Sequence, residues 1–439
     1  MNYNAIDFIL CDAHGIARGK QAPAHHLQSY AQKGFGFPRS VLGMDVYGSD
    51  VLDNGLLEEG DGDVIARAIS EDIVPVTWAR NRAQIQTMMY ERDGAPCLYD
   101  SRQILVQAAK QFYEKYHYKP VMAFELEFYL GTPSKSHLRC FERMARSQST
   151  LPMQSTNAYL MQDLVECNAL FDDIYAACEA QKIPADALVS ENSPSQYEIN
   201  FHHVDDSLLA ADHAFLFKRI VKAVAEQHDM TATFMPKPFA DAAGSGMHIH
   251  LSLLDEKGND LFQLKEHNPN QHLSNALAGM AATMPDSTLI FAPHANSYKR
   301  LRPDSYAPLS ATWGIENRTT ALRIPYSETE NCRIEHRVAG ADANPYLVAT
   351  TLLAALDYGF SHNLQVAPVT LGDGYQDDSA PQIHTNWYGA HQAFAQSEFM
   401  RKALGLQFHT MFERVINQEI LKMQTQISDI EHMSYFRSL

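Results

Sequence analysis

The feature that most constrains this chain is a strand pattern that recurs four times. In Phe124-Glu125-Leu126-Glu127-Phe128, charged residues alternate strictly with large apolar ones. A period of two belongs to extended chain, because successive side chains of a strand point to opposite faces. Glu125 and Glu127 therefore share one face, and Phe124, Leu126 and Phe128 the other. The same alternation sets Glu198 opposite Tyr197 and Ile199 in QYEINF. It groups His248, His250 and Ser252 in MHIHLSL, and Arg333, Glu335 and Arg337 in RIEHR. Any one of these, taken alone, also reads as the solvated face of an antiparallel strand. Solvated faces favour Thr, Lys and mixed polar residues, whereas these four supply carboxylates and imidazoles, the ligands of divalent cations. Two carboxylates two apart on one strand repel unless a cation or an arginine lies between them. The joint pattern predicts a sheet folded around a metal site.

Composition narrows the setting. A chain of 439 residues has room for two or three domains, and 45% hydrophobic with 20% charged residues is a globular mix. Asp and Glu number 52 against 35 Lys and Arg, a formal charge of −17. That balance argues against a general nucleic-acid binder, which needs a basic surface to neutralise phosphates. The six cysteines are scattered without a CxxC pair. This excludes a zinc ribbon and points to reduced thiols in a cytoplasm. No apolar run reaches the ~18 residues of a spanning helix, and the first residues lack a basic, signal-peptide-like start. A cytoplasmic protein without membrane or nucleic-acid partners is expected.

Along the chain, AIDFIL, the turn CDAHG and IARGKQAP form a hairpin, with Gly15 free to take positive φ. Further turns fall at Asp53-Asn54-Gly55, Gly60-Asp61-Gly62 and Asp93–Pro96. The last marks an expected boundary between a β-rich domain, 1–95, and a second domain, 96–439. A helix is expected from the caps Asp100/Ser101 to a stop before Pro120. Another is expected over 158–182, where Leu160, Leu164, Cys167, Phe171, Ile174 and Cys178 recur at spacings of four and three. A third runs from about Asp206 to His228. TATFMPKP reads as a strand, 294–308 as a long polar loop, and a helix opens at Asn344-Pro345. Helices and strands mix without strict βαβ alternation, so the fold class is α+β.

Six arginines fall between positions 300 and 337: Arg300, Arg302, Arg318, Arg323, Arg333 and Arg337. They read as an anion site or as a surface ion-pair network. Carboxylates carrying metal together with arginines are what phosphoryl transfer from Mg-ATP requires. A GxxxxGK[ST] sequence is absent, which excludes a P-loop enzyme. Gly244-Ser245-Gly246, just before the His248 strand, reads as a simple turn or as a place where backbone approaches a ligand closely.

Six ordered segments carry a resemblance. FELEF, SENSPSQYEINF, FMPKPFADAAGSGMHIHLSL, NSYKRLRPDSYAP, WGIENRTTALRIP and RIEHRVAGADANPYL resemble the signature segments of the glutamine synthetase family, and DAHGIARGK resembles that family's opening hairpin. Within the family the chain is most similar to the γ-glutamylpolyamine (γ-glutamylputrescine) synthetases. The resemblance implies an N-terminal β-grasp domain and a catalytic domain whose antiparallel sheet curves around the site. It also implies a ring-shaped homo-oligomer, typically a dodecamer, with active sites between subunits. Carried over by motif, Glu127, Glu191 and Glu198 would hold one Mg²⁺ or Mn²⁺, and Glu125, His248 and Glu335 another. Arg300 and Arg337 would grip glutamate beside Gly244. Arg318 and Arg323 would face the transferring phosphate. His250, Ser252 and Arg333 would contact ATP. The implied reaction joins the γ-carboxylate of glutamate to an amine through γ-glutamyl phosphate.

The chain departs from ammonia-using members of that family at two points. They carry a glutamate just before Ala-Pro in the segment that reads NSYKRLRPDSYAP here, where this chain has Tyr306. They also carry an asparagine before the glycine loop, where this chain has Ala243. Losing the anion weakens an ammonium pocket, and an aromatic ring suits a longer amine such as putrescine, a polyamine or an alkylamine. Asp45, in GMDVYGSD, is a candidate for binding an ammonium group in a neighbouring subunit's site, or serves its own turn. Two alternatives stand beside the amine ligase: an ammonia-using glutamine synthetase, against which Tyr306 argues, and an inactive structural or regulatory assembly. The intact set of six ligands argues against the latter.

Overall fold

The structure, a computed structural model, describes residues 3–58, 60–70, 72–134, 141–143, 158–326, 331–437 and 439. Residues up to Tyr90 build a six-stranded sheet from β1 (Ala5–Cys11), β2 (Ala17–Pro23), β3 (Phe35–Pro38), β4 (Asp63–Ala68), β5 (Val74–Pro75) and β6 (Arg82–Tyr90), with α1 (Leu27–Lys33) between β2 and β3. The main order is β2-β1-β6-β4-β3. β1 and β2 form the expected hairpin, and β1 runs parallel to β6. The hairpin turn is set locally. Asp12 Oδ1 accepts the backbone N–H groups of His14 and Ile16 at 3.0 and 2.9 Å, and Gly15 takes a φ of 78° that a side chain would resist.

The rest of the chain is organised by a nine-stranded sheet. It is made from β7 (Lys119–Pro133), β8 (Phe141–Arg143), β9 (Ala185–Ser190), β10 (Gln196–Phe201), β11 (Thr231–Thr233) and β12 (Met247–Leu254). After a separate small pair, β13 (Leu264–Lys265) and β14 (Asn268–Pro269), it is completed by β15 (Trp313–Ile315), β16 (Leu322–Ile324) and β17 (Ile334–His336). Its main order is β15-β16-β17-β12-β7-β10-β9, antiparallel except for the β15–β16 pair. Helices α2 (Ser101–Tyr116), α3 (Met161–Val165), α4 (Asn168–Ala180), α5 (Ser207–Gln227), α6 (Gln271–Phe291), α7 (Pro345–Ser361), α8 (Trp387–Gln396), α9 (Glu398–Leu404), α10 (Leu406–Gln424) and α11 (Asp429–Tyr435) complete the chain. The α+β class follows from this arrangement. Among the described residues no helix is long and apolar enough to cross a membrane.

The alternation read in the sequence becomes a division of the sheet into two faces. Phe124, Leu126, Phe128, Tyr197, Ile199, Met247, Ile249 and Leu251 are all buried in one apolar cluster with α5, α6 and α7. Burying one such side chain is worth about 1.5–3 kcal/mol, so this face holds the strands in register and leaves the other face free for charge. Helix ends follow their caps: Asp100 and Asp206 accept backbone N–H groups at the starts of α2 and α5, and Asn344 at the start of α7.

Two expected elements differ. The helix over 158–182 is two helices, because Glu166 and Cys167 form a turn in which the Cys167 N–H bonds to Leu164 O. The turn keeps the apolar stripe on one side, so the periodicity runs through the break. TATFMPKP is a strand only over Thr231–Thr233, since Pro236 and Pro238 offer no N–H to a ladder.

Asp212 on α5 joins the N-terminal sheet to the helices. It receives Arg102 Nε and Nη2 at 2.9 and 2.8 Å, Gln86 Nε2 at 2.7 Å from β6, and the Tyr346 hydroxyl at 2.7 Å from α7. Asp212→Ala strands a mostly buried guanidinium and a buried phenol, so it should cost about 3–5 kcal/mol, the range for breaking a buried pair from one side. A drop in denaturation midpoint checks this, and an unchanged midpoint contradicts it.

Candidate active site

Strand register lines up the charged face. Glu198 on β10 lies opposite Glu127 on β7, His248 on β12 opposite Glu125, His250 opposite Glu335 on β17, and Glu335 opposite Arg323 on β16. Five neighbouring strands thus bring residues far apart in sequence onto one surface. Ligand atoms of Glu125, His248 and Glu335 lie within 4.8 Å of one another, as do those of Glu127, Glu198 and His248. The two groups share His248.

Each carboxylate is held differently. Glu127 Oε2 accepts Gly246 N–H at 2.9 Å and Gln196 Nε2 at 3.1 Å. Glu198 Oε1 accepts Asn200 Nδ2 at 2.9 Å. Glu335 is flanked by arginines: Oε1 takes Arg337 Nη1 at 2.5 Å and Oε2 takes Arg323 Nη1 at 2.6 Å. Arg323 also reaches Glu316 at 3.0 Å. His250 Nδ1 accepts Arg333 Nε–H at 3.0 Å, so its Nε2 carries the proton that faces Glu125 Oε1 at 2.8 Å. Arg333 and His250 therefore act together on a carboxylate of the cluster.

The electrostatics divide the cluster in two. Burial raises the pKa of Glu335, but the charges of Arg337 and the two histidines outweigh it and bring it down to about 2. Burial opposes ionisation of Glu125 as well, and His250 and His248 overcome it and hold it well below the usual range. Glu198 and Glu191 go the other way. Burial, then the neighbouring carboxylates, pushes Glu198 well above the normal value and Glu191 up to about 7. Buried acceptors that repel one another fit divalent cations, which favour oxygen ligands and remove the repulsion.

The glycine loop fits around Arg300. A Cβ at Gly244 would stand 2.6 Å from Arg300 Cγ and 2.8 Å from Pro236 O. One at Gly246 would meet Arg300 Nη2 at 2.8 Å and His248 Nε2 at 3.0 Å. Arg300 is buried, and its Nη1 and Nη2 donate to the carbonyls of Val338 and Arg337 at 2.7 and 3.1 Å. These bonds use two of the five donors of a guanidinium.

This site lies on a recognisable domain. Residues 98–435 match the catalytic domain of glutamine synthetase. The chain belongs to the glutamine synthetase family. It is 35% identical to gamma-glutamylputrescine synthetase PuuA of Escherichia coli, over 98% of this chain and 91% of that one. It is 31% identical to glutamate–isopropylamine ligase of a Pseudomonas species, over 99% of this chain and 95% of that one. The solved GmaS/ADP complex is 25% identical and superposes with a TM-score of 0.87, covering 99% of this chain and 97% of its own. Enzymes of the glutamine synthetase family use ATP and divalent metals, and the donor set described above fits that requirement.

The structure gathers most of the expected site residues and separates others. Glu125, Glu127, Glu198, His248, His250, Arg323, Arg333, Glu335 and Arg337 share the charged face. Ser252 follows on β12, opposite Val121. Glu191 directly follows β9, at the start of the loop to β10, its N–H on Gln196 O, and Arg318 is exposed with its charge near Glu191. Tyr306 has a φ of 55° and is 61% exposed, and no hydrogen bond or ion pair among the described residues ties its ring to the cluster. Asp45 is a candidate for an ammonium group of a neighbouring site or for its own turn. Its fully buried carboxylate accepts Tyr47 and Ser49 N–H groups at 3.0 and 2.9 Å, Gln418 Nε2 at 2.8 Å, and the Lys422 ammonium. It serves its own turn and α10.

Sequence reasoning missed Gln196, which joins Glu127 to Gly244 O at 3.0 Å, and Ser193, whose Oγ accepts the Ala243 N–H at 2.6 Å. Asn200 was within reach, since it lies two residues from Glu198 on the same strand face. Gln196 and Ser193 carried no signal, because an amide or hydroxyl beside a motif is ordinary.

The raised carboxylates set a pH dependence. With folded values above the unfolded value near 4.5, Glu191 and Glu198 hold protons at a pH where the unfolded chain has lost them. Their contribution favours the metal-free fold at low pH and is lost as pH rises toward 7 and beyond. Cation binding must displace those protons. Mg²⁺ or Mn²⁺ affinity should therefore rise from pH 6 to pH 8, with net proton release, measured by calorimetry in buffers of different ionisation enthalpy. Binding without proton release at pH 6.5 contradicts this.

Proposed function

We infer that the chain is an ATP-dependent ligase that joins the γ-carboxylate of glutamate to an amine. The observation that carries this reading is the pair of overlapping donor groups sharing His248, with arginines ranged along the same face. Such a face suits anionic phosphate and carboxylate substrates together. Glu127, Glu191 and Glu198 would hold one cation, and Glu125, His248 and Glu335 another, with Mg²⁺ or Mn²⁺ as the ions. Bound there, the cations neutralise phosphate charge as it redistributes during transfer. Arg300 and Arg337, beside the Gly244 loop, orient glutamate, and Arg318 and Arg323 face the transferring phosphoryl group. His250, Ser252 and Arg333 lie on the ATP side.

In the first step a γ-carboxylate oxygen of glutamate attacks the γ-phosphorus of ATP, and the bond to the bridging oxygen breaks to release ADP. In the second, the amine nitrogen attacks the acyl carbon of γ-glutamyl phosphate. Phosphate leaves, and the nitrogen gives up a proton. An alkylammonium group has a pKa of about 10, so deprotonation accompanies attack. The relatives act on different amines by name, putrescine in one and isopropylamine in another. The aromatic Tyr306, where a carboxylate would favour ammonium, supports putrescine, a polyamine or an alkylamine. The working form is a cytoplasmic homo-oligomer, a dodecamer of family type with active sites between subunits.

Phosphate release from ATP and glutamate, measured across ammonia, putrescine, spermidine, ethylamine and ethanolamine, tests the reading. Diamines or alkylamines should be used and ammonia used poorly; efficient glutamine formation with no use of amines overturns it. Arg300→Lys should raise the KM for glutamate at least tenfold more than that for ATP, because lysine cannot reproduce a guanidinium fork. Equal effects would place Arg300 elsewhere. Tyr306→Glu should shift the kcat/KM ratio toward ammonia by about tenfold, or ~1.4 kcal/mol of differential binding. An unchanged ratio assigns amine choice to other residues.

A further inference from the structure

A second group of metal-competent side chains lies apart from the carboxylate face. Ligand atoms of His14, His294 and Glu419 fall within 4.8 Å of one another. They come from three separate places: the turn between β1 and β2, the segment just after α6, and α10. His14 Nε2 stands 2.9 Å from Glu419 Oε1, and His294 Nδ1 stands 3.6 Å from Glu419 Oε2. The side chains of His14 and Glu419 are 0% and 1% exposed, and that of His294 is 21% exposed.

Their hydrogen bonding is incomplete in a specific way. Glu419 Oε1 accepts the Val46 N–H at 2.7 Å, which orients the carboxylate. His14 Nε2 is taken up by Glu419, whereas His14 Nδ1 and Glu419 Oε2 are buried with no aligned hydrogen-bond partner among the described residues. Buried polar atoms are normally paired. Two imidazoles and one carboxylate converging within 4.8 Å form a donor set suited to a zinc-like ion. The three residues also line the wall of a cavity of about 650 Å³. That leaves room beside them for water or a small ligand to complete the coordination. Lys218 and Lys222 line the same cavity, and Lys218 donates to Ala343 O at 2.8 Å.

We propose that His14, His294 and Glu419 bind one divalent transition-metal ion of the zinc class, separate from the catalytic cations. No ligand is shared between the two places. The ion clasps the N-terminal hairpin, helix α10 and the root of the loop that carries Arg300. His294 starts that loop, and its N–H donates to Ser297 Oγ at 3.0 Å.

Co²⁺ titration of the full-length protein tests the proposal, with excess Mg²⁺ present to occupy the carboxylate face. The expected result is one equivalent of Co²⁺ with the intense visible bands of a low-coordinate nitrogen–oxygen site. His294→Ala should lose that equivalent while keeping its circular dichroism, because this side chain is partly exposed. His14→Asn should lose it too, and Glu125→Gln should keep it. Zn²⁺ should raise the thermal midpoint of the unmutated protein but not of His294→Ala. Unchanged Co²⁺ stoichiometry and spectrum in His294→Ala overturn the proposal. So does the absence of any Mg²⁺-resistant Co²⁺, or its loss in Glu125→Gln.

Discussion

Everything in the catalytic domain depends on holding mutually repelling carboxylates on one face of a sheet. Burial opposes the ionisation of Glu125, Glu198 and Glu335, so local contacts alone do not account for their shared face. The compensation comes from the opposite face. The apolar residues between them pack on α5, α6 and α7 with almost no exposure, which fixes the register that sets Glu198 beside Glu127 and His248 beside Glu125. A one-residue slip of any strand would exchange the two faces and destroy core and site together.

The arginines divide this electrostatic burden unevenly. Glu335 lies between Arg337 and Arg323, and Glu125 receives His250, so these two remain ionised. Glu191 and Glu198 have only weaker help, and burial with neighbouring carboxylates raises both above the usual carboxylate range. Protein cations thus offset the charge of one half of the site more than that of the other.

Much of this was legible in the sequence because the period of a strand is an integer. Glu125, Glu127, His248, Glu335 and Arg337 could be assigned to shared faces without knowing which strands were neighbours. The neighbour order was not legible, since it depends on long-range pairing that no local pattern encodes. The broken helix at Glu166–Cys167 was hidden because its turn preserves the apolar stripe. Asp45 was ambiguous because an aspartate beside a glycine turn looks the same whether it serves a ligand or its own backbone. Only the arrival of Gln418 and Lys422 from α10 decides the matter. The His14, His294 and Glu419 group had no sequence signal at all, as its members are hundreds of positions apart.

The loop from His294 to Pro308 has a buried root and an exposed tip. Its root is rigid. Ser297 Oγ is hydrogen-bonded to Asp342 at 2.5 Å, and Arg300 is buried between the glycine loop and the carbonyls of Arg337 and Val338. A substitution here would disturb buried packing and two hydrogen bonds at once. The tip is different. Tyr306 stands exposed in a left-handed backbone conformation, six residues beyond Arg300, and its neighbour Ala307 is anchored by the Tyr375 hydroxyl at 3.1 Å. The backbone is held while the side chain is left free, so a residue at this position can be exchanged at little cost to the core. A change of side chain at the tip therefore leaves the buried root and its hydrogen bonds in place.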